Sequence, residues 1–452
     1  MNIVLLVADT LRARNLSMYG HSKQVMPFVS QLEEKIVVDN YYSNSPWTLP
    51  AHATIFTGEL PSEHGFTTQN TFFDKDNELI ESLKEQGFET FGLSENSLIS
   101  ESLGFGEEFD YFWSDAPEQE EGETWREVWD KDLEYGSRLE KYSDFFSKAL
   151  RRGDTESMKT FFRHLRRKLK TDSEDYNPTE SDHTIREAQK ILEKGEDRFL
   201  FVNLMAAHAA YTFNEDQKDR FLADVSREDI LKATSFKSID GMLEMEEVTE
   251  RDFEIREKAY EASINYVDKL VEELYKEAPE DTVFLLVGDH GELIGEYEKH
   301  GVRLVDHHFG TFKEVIEVPL VIFGKKDISD LEQKFTAEKL YSHVDLFRLI
   351  RDMAGKEESE IGGELAKVEY YGRSGFNRQF NHEIKEGYRQ LYDRKSFSMI
   401  DPDFKYDLAS DGEFLWERTG ATENENLIEK EEVPEKLSQK MDILYSWRMD
   451  SD

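Results

Sequence analysis

Three runs of this chain are apolar almost without interruption: Ile3 to Ala8, Phe199 to Met205 and Thr282 to Val287. A strand with one solvated face alternates apolar and polar residues, whereas a continuous run needs both faces buried, as in a parallel sheet covered by helices. Each run is followed by polar residues, Asp9-Thr10, His208 and Asp289-His290. In open α/β sheets ligands collect beyond the carboxyl ends of the strands, so the pattern predicts that these three ends converge on one crevice. Between the runs the periodicity turns helical. From Asp252 to Glu277 the residues Ile255, Tyr260, Ile264, Val267, Val271 and Leu274 recur at helical spacing beside a charged face, and Pro279 then leads into the strand at Thr282. Helix followed by buried strand is the grammar of an α/β protein.

Other stretches differ in texture. Residues 107–195 are charged, aromatic-rich and helical in pattern, and read as an insertion. Within them Lys159 to Lys170 forms a basic helix, expected to be a solvated face paired with neighbouring acids. Lys356 to Glu364, with its Gly362-Gly363 pair, reads as a connection. Beyond it come strand-like pieces at Ser396 to Ile400 and Phe404 to Tyr406, and an amphipathic helix from Val433 to Met449. The expected division is a main α/β domain over 1–355 and a smaller C-terminal α+β subdomain over 356–452, in keeping with a length of 452 residues.

Composition narrows the partners. With 56 Lys and Arg against 96 Asp and Glu, the net charge is −40. Nucleic acid or an anionic membrane surface would be repelled, so neither is expected as a partner. There is no cysteine, hence no disulfide and no thiolate metal site. The apolar start stops at Asp9, and no stretch approaches the roughly 20 apolar residues that span a bilayer. The expectation is a soluble cytoplasmic protein with no membrane insertion.

Residues 44–58, NSPWTLPAHATIFTG, hold candidate chemistry. Thr48 before Pro50, an apolar run and Gly58 read as a short helix with an N-cap and a left-handed glycine at its end. The same helix start offers unpaired backbone N–H groups and a positive dipole end, so an anion bound there would face the Thr48 hydroxyl. His52 lies one turn along on the same side.

The blocks that carry chemistry resemble those of the sulfatase family within the alkaline-phosphatase superfamily. VLLVADTLRARNLSMYG (4–20) is similar to the first strand and its metal-binding aspartate, and TLPAHATIFTGELPSEHGF (48–66) to the nucleophile helix. FLFVNLMAAHAAY (199–211) resembles the strand that delivers a substrate-site histidine, and VFLLVGDHGELIGEYEKHG (283–301) the second metal-binding signature. DHHFGTFKEVIEVPLVIFG (306–324), YSHVDLFRLIRDMAG (341–355) and the ending with Glu423 to Leu427 follow in family order. The resemblance implies a three-layer αβα sandwich around a largely parallel mixed sheet. The chain departs from the pattern at one point. Sulfatases of the best-known kind carry Cys or Ser in Cys/Ser-x-Pro-x-Arg for conversion to formylglycine, whereas here Thr48 and His52 stand at the first and last positions. No formylglycine is therefore expected, and the threonine is similar to that of phosphodiesterase and phosphoglycerol-transferase relatives.

On this reading Asp9, Thr48, Asp289 and His290 hold one divalent ion, with Mn²⁺, Zn²⁺, Mg²⁺ and Ca²⁺ all open. Thr48 is the nucleophile, His208 and His307 bind anionic oxygens or protonate the leaving oxygen, and His52, Arg12 and His308 contact the substrate. The implied substrate is a small-molecule or glycan sulfate or phosphate ester, hydrolysed through a covalent Thr48 intermediate. Transfer of a phospho-group to an alcohol acceptor, or metal and anion binding without catalysis, remain open. His343, Asp345 and His64 read as structural.

Overall fold

The computed structural model describes residues 1–115, 179–372 and 395–428, except 68–69, 74, 196, 237, 239–247, 300, 357–358, 411 and 418–425, together with 145–149, 151–155 and 157–158. The basic helix expected over 159–170, the amphipathic helix over 433–449 and most of 423–427 lie outside the described residues.

In chain order the strands are β1 (Asn2–Ala8), β2 (Lys35–Val37), β3 (Tyr41–Tyr42), β4 (Glu89–Ser94), β5 (Tyr111–Ser114), β6 (Arg198–Leu204), β7 (Thr282–Gly288) and β8 (Leu293–Lys299). They continue with β9 (Val302–Asp306), β10 (Leu320–Gly324), β11 (Tyr341–Ser342), β12 (Ala366–Tyr370), β13 (Ser396–Ile400), β14 (Phe404–Ala409), β15 (Gly412–Glu417) and β16 (Asn426–Ile428). Among the described residues the main sheet runs β2-β10-β7-β1-β6-β4-β5. Strands β7, β1, β6, β4 and β5 are parallel, while β10 runs antiparallel to both β7 and β2. The three apolar runs are thus β1, β6 and β7, side by side at the centre, found within a residue of their expected bounds.

Register explains why those runs are continuous. Ile3 pairs with Phe199 and Val283, and Leu5 with Phe201 and Leu285, so one row of side chains crosses the three strands. That row packs against Leu49, Ala53 and Phe56 of the helix Thr48–Thr57 and against Leu346 and Ile350 of the helix His343–Met353. The opposite face is covered as well, for Phe284 meets Tyr275 of the long helix Glu250–Glu277 at 5.7 Å between ring centroids. With helices on both faces no position in the central strands can be polar without a partner. The fold is mixed α/β with a large, mostly parallel sheet.

Two compact units are present, one of 1–114 with 178–452 and the other of 115–177. The second unit is narrower than 107–195, because β5 pairs with β4 and the helix Thr179–Leu192 belongs with the main sheet. The described part of 356–452 carries a sheet of its own. Its antiparallel sheet β12-β13-β14-β15-β16 is tied to the chain ahead of Thr48, where Glu369 N–H donates to Asn44 O at 2.9 Å and Asn44 Nδ2 to Lys367 O at 2.8 Å. Among the described residues no helix is long and apolar enough to cross a membrane.

Candidate active site

Four strand ends and one helix start build the site. Asp9 and Thr10 follow β1, Asn96 follows β4, His208 follows β6, and Asp289 and His290 follow β7. Tight backbone contacts fix the last pair. A Cβ on Gly288 would stand 2.3 Å from Leu11 O, and one on Gly291 would stand 2.1 Å from Glu314 O. Only glycine fits on either side of Asp289-His290, so the Gly-Asp-His-Gly order is a packing requirement as much as a chemical one. Thr10 adopts φ +60°, a conformation that costs a β-branched residue about 1–3 kcal/mol. In return its N–H donates to Asp289 Oδ1 at 3.1 Å and its hydroxyl to Ala207 O at 2.7 Å.

Thr48 does not cap its helix. The N-cap position falls on Trp47, whose backbone is extended and whose carbonyl accepts from Ala51 N–H at 3.3 Å. Thr48 is the first helical residue, and its Oγ1 lies 3.2 Å from His290 Nε2. The expected left-handed end is present at Gly58, at φ +72°.

Asp9, Asp289 and His290 are wholly buried, and each offers a ligand atom within 4.8 Å of the others. Asp9 Oδ2 accepts from Asn96 Nδ2 at 2.7 Å, and Asp289 Oδ1 accepts from His290 N–H at 2.8 Å as well as from Thr10. The remaining oxygens, Asp9 Oδ1 and Asp289 Oδ2, have no hydrogen-bond partner although buried. His290 Nδ1 donates to Gly291 O at 2.8 Å, which leaves Nε2 as a bare acceptor. Two orphaned carboxylate oxygens and one lone-pair nitrogen, beside a hydroxyl, fit a divalent cation. Electrostatics agree. Burial, then repulsion from Asp289, pushes Asp9 up to about 6, and burial pushes Asp289 up to about 7 against the two N–H donors that favour its carboxylate. Burial lowers the pKa of His290, with Asp9 pulling the other way. The set strains towards a positive charge at its centre.

A cavity of 480 Å³ opens beside this cluster, lined by Thr48, Asn96, His208, Arg256, His307 and His308 among others. His208 Nδ1 donates to Ala209 O at 2.7 Å. Burial works against its charged form, but Asp9 and Glu292 outweigh that and raise its pKa. His307 sits between the other imidazoles, its ring centroid 4.3 Å from His290, 5.7 Å from His208 and 4.1 Å from His308. The cavity therefore gathers Thr48, His208, His307 and His308.

Arg12 and His52 do not line it. Arg12 is buried, bound to Glu296 Oε1 at 2.6 Å and to Glu292 O at 2.9 Å, and pins the loop after β7 to the loop after β1. His52 Nδ1 donates back to Thr48 O at 3.0 Å, and its Nε2 accepts from Asn203 Nδ2 at 3.2 Å. Burial holds its pKa down at about 3, so the ring is a neutral prop behind the helix start. His343 is structural in a specific way. It accepts from Tyr41 OH through Nδ1 and donates to Asp289 O through Nε2, both at 2.8 Å. His64 accepts from Phe66 N–H at 3.0 Å and sits 3.2 Å from Thr54 Oγ1 under the same helix. Asp345 caps its own helix by accepting from Ser342 N–H at 2.9 Å.

Asn96, Asn203 and Arg256 escape a reading of the sequence alone. Asn96 stands 87 residues from Asp9 with no motif around it, and Arg256 is one charge among many on a helix whose pattern marks it as solvated.

Comparison with known proteins identifies the family. The sulfatase family profile matches residues 1–356. N-acetylglucosamine-6-O-sulfatase of Bacteroides thetaiotaomicron is 30% identical over 130 residues, which are 25% of this chain and 23% of that protein. Human N-acetylgalactosamine-6-sulfatase is 34% identical over 70 residues, 15% of this chain and 13% of that protein. The matched stretches thus span less than a quarter of these relatives. Among solved structures, a protein in complex with its substrate D-glucosamine-2-N,6-O-disulfate superposes with a TM-score of 0.65 at 16% identity, covering 100% of this chain and 98% of that one. Phosphonate monoester hydrolase of Agrobacterium radiobacter superposes with a TM-score of 0.61 at 16% identity, covering 92% and 89%. With a profile match over most of its length and the strand-end cluster in place, the chain belongs to the sulfatase family.

Proposed function

We propose that the protein is a metal-dependent hydrolase of sulfate or phosphate esters that works through a covalent bond to Thr48. The observation that carries the reading is the position of Thr48 Oγ1, at the start of a buried helix, 3.2 Å from His290 Nε2 and on the wall of the cavity that holds His208 and His307. Asp9, Asp289, His290 and Thr48 would hold a divalent cation, which supplies Lewis-acid polarisation and a lower pKa for a nearby hydroxyl.

The chain's own groups divide the remaining work. Thr48 Oγ1, its proton first passing to solvent, attacks sulfur or phosphorus, forming an O–S or O–P bond as the bond to the leaving oxygen breaks. The helix start offers the anionic oxygens its positive dipole end. His208, whose charged form is favoured by Asp9 and Glu292, or His307 delivers a proton to the leaving alcohol. A water, deprotonated by the same imidazole, then releases sulfate or phosphate and restores the hydroxyl. Threonine cannot form the aldehyde hydrate of formylglycine-type sulfatases, so its ester must be opened by an incoming oxygen nucleophile. That same requirement admits an alcohol in place of water, which is the transferase reading. A sulfated amino sugar is the first substrate class to try, after the names of the matched relatives.

The test is to incubate metal-loaded protein with aryl sulfates, phosphate monoesters, phosphodiesters and N-acetylglucosamine 6-sulfate, with and without alcohol acceptors, then weigh the intact chain. A sulfo- or phospho-adduct mapping to Thr48 supports the reading. Turnover that persists in Thr48→Ala overturns it.

A further inference from the structure

We propose that Arg256 anchors a second subsite in the same cavity, one that takes an additional oxyanion of the substrate, a sulfate, phosphate or carboxylate set apart from the ester that reacts. The inference rests on the hydrolase reading and adds a substrate class to it.

Arg256 lies on the long helix Glu250–Glu277, is 2% exposed and lines the cavity with Thr48. A buried guanidinium needs acceptors for its N–H groups. Nη1 has two of them, Ala233 O at 3.3 Å and Phe236 O at 2.9 Å. These carbonyls belong to the last turn and end of the helix Arg227–Ser235, where a cation is favoured. The plane is also packed by rings, with Cζ 4.9 Å from the Phe236 centroid and 5.7 Å from that of Tyr211. The group is thus fixed in place before any ligand arrives.

The other edge of the fork is only partly satisfied, for the Tyr211 hydroxyl lies in hydrogen-bonding range of the guanidinium. Nε is buried and has no hydrogen-bond partner. Nη2 stands 4.0 Å from Glu292 Oε1, beyond hydrogen-bond reach, while Glu292 Oε2 accepts from Tyr211 OH at 2.8 Å. Glu292 favours the charge on Arg256 without occupying its Nε–Nη2 edge. Such an edge matches two oxygens of a carboxylate, sulfate or phosphate. Arg256 is also the only Lys or Arg among the described residues that line the cavity. Its carbonyl partners, on Ala233 and Phe236, belong to the helix Arg227–Ser235 and its end, apart from the elements that carry Thr48, Asp9, Asp289 and His290. Because Glu292 opposes a negative ligand, selectivity comes from the paired geometry of the fork more than from charge alone.

Titration calorimetry on the Mn²⁺-loaded Thr48→Ala chain tests this without turnover. The ligands are N-acetylglucosamine 6-sulfate with one anionic group, D-glucosamine-2-N,6-O-disulfate with two sulfates, and a 2-sulfated hexuronate with a sulfate and a carboxylate. At least one doubly anionic ligand is expected to bind about tenfold or more tightly than the monosulfate, and which one identifies the second anion. Adding Arg256→Gln should remove that preference while leaving monosulfate affinity within about twofold, and Arg256→Lys, which keeps the charge without the fork, should restore only part of it. The monosulfate bound with no preference for a second anion removes the subsite and leaves the hydrolase reading standing. A loss spread equally over all ligands in both Arg256 variants, or no binding of any ligand, overturns the proposal too.

Discussion

Thr48 Oγ1 and His290 Nε2 lie 3.2 Å apart although 242 residues separate them in the chain. The imidazole uses Nδ1 to donate to Gly291 O, so Nε2 presents a lone pair towards the hydroxyl. Thr48→Ala removes the nucleophile while leaving its helix, whose N-cap is Trp47. The expected outcome is a fall in turnover on the order of 10⁴–10⁶-fold with little change in melting temperature. Thr48→Ser, which keeps the oxygen, should retain measurable turnover and the covalent adduct. Steady-state rates and intact mass check both.

Asn96 should govern metal affinity through Asp9. Its Nδ2 fixes Asp9 Oδ2 at 2.7 Å and so aims Oδ1 into the cluster. Asn96→Ala is expected to weaken metal binding about 10–100-fold, as loss of a group that orients a ligand does. Competition with a fluorescent chelator measures it, and an unchanged constant would exclude the role.

Removing the metal should change how stability depends on pH. In the metal-free chain Asp9 titrates near 6 and Asp289 near 7, both above the unfolded carboxylate value. The native state then holds protons that the unfolded chain has released. The stability from these groups is present at low pH and is lost as pH rises through about 4 to 7. A bound divalent ion takes the deprotonated carboxylates, so its stabilising increment should grow over that window. Melting temperatures with metal and with chelator, at pH 5 and pH 8, are expected to differ more at pH 8.

Three buried histidines act with the opposite sign. Burial lowers His52 and His64 to about 3 and His343 to about 4, and each ring also accepts a hydrogen bond at the nitrogen that a proton would take, from Asn203, Phe66 N–H and Tyr41 OH respectively. Their stability is complete above the unfolded histidine pKa and falls as pH drops from about 6.5 towards 4, because the unfolded chain binds protons that the native rings refuse. For His343 the added proton sits at Nδ1 and breaks the hydrogen bond from Tyr41 OH. His343→Phe should flatten this acid branch and cost about 1–3 kcal/mol at pH 7, since Tyr41 OH and Asp289 O lose a shared partner. Denaturant midpoints at pH 5 and 7 report both effects.

Local chemistry by itself determined a good deal of this protein. The unbroken apolar runs fixed β1, β6 and β7 as strands buried on both faces, because no solvated face could tolerate them. Their polar ends marked Asp9, His208, Asp289 and His290, since side chains at carboxyl ends of parallel strands face one crevice. Cap residues were less legible: a threonine before a proline suits an N-cap, yet Trp47 takes that place and Thr48 is turned to His290. What only the tertiary structure decided are partnerships between distant residues with no periodicity. Arg12 and His52 look free in the sequence but are held by Glu296 and Asn203, while Asn96 and Arg256 look ordinary and reach Asp9 and the cavity. Hydrogen-bond reach is about 3 Å, so which polar group meets which depends on loop paths that hydrophobic patterning leaves open.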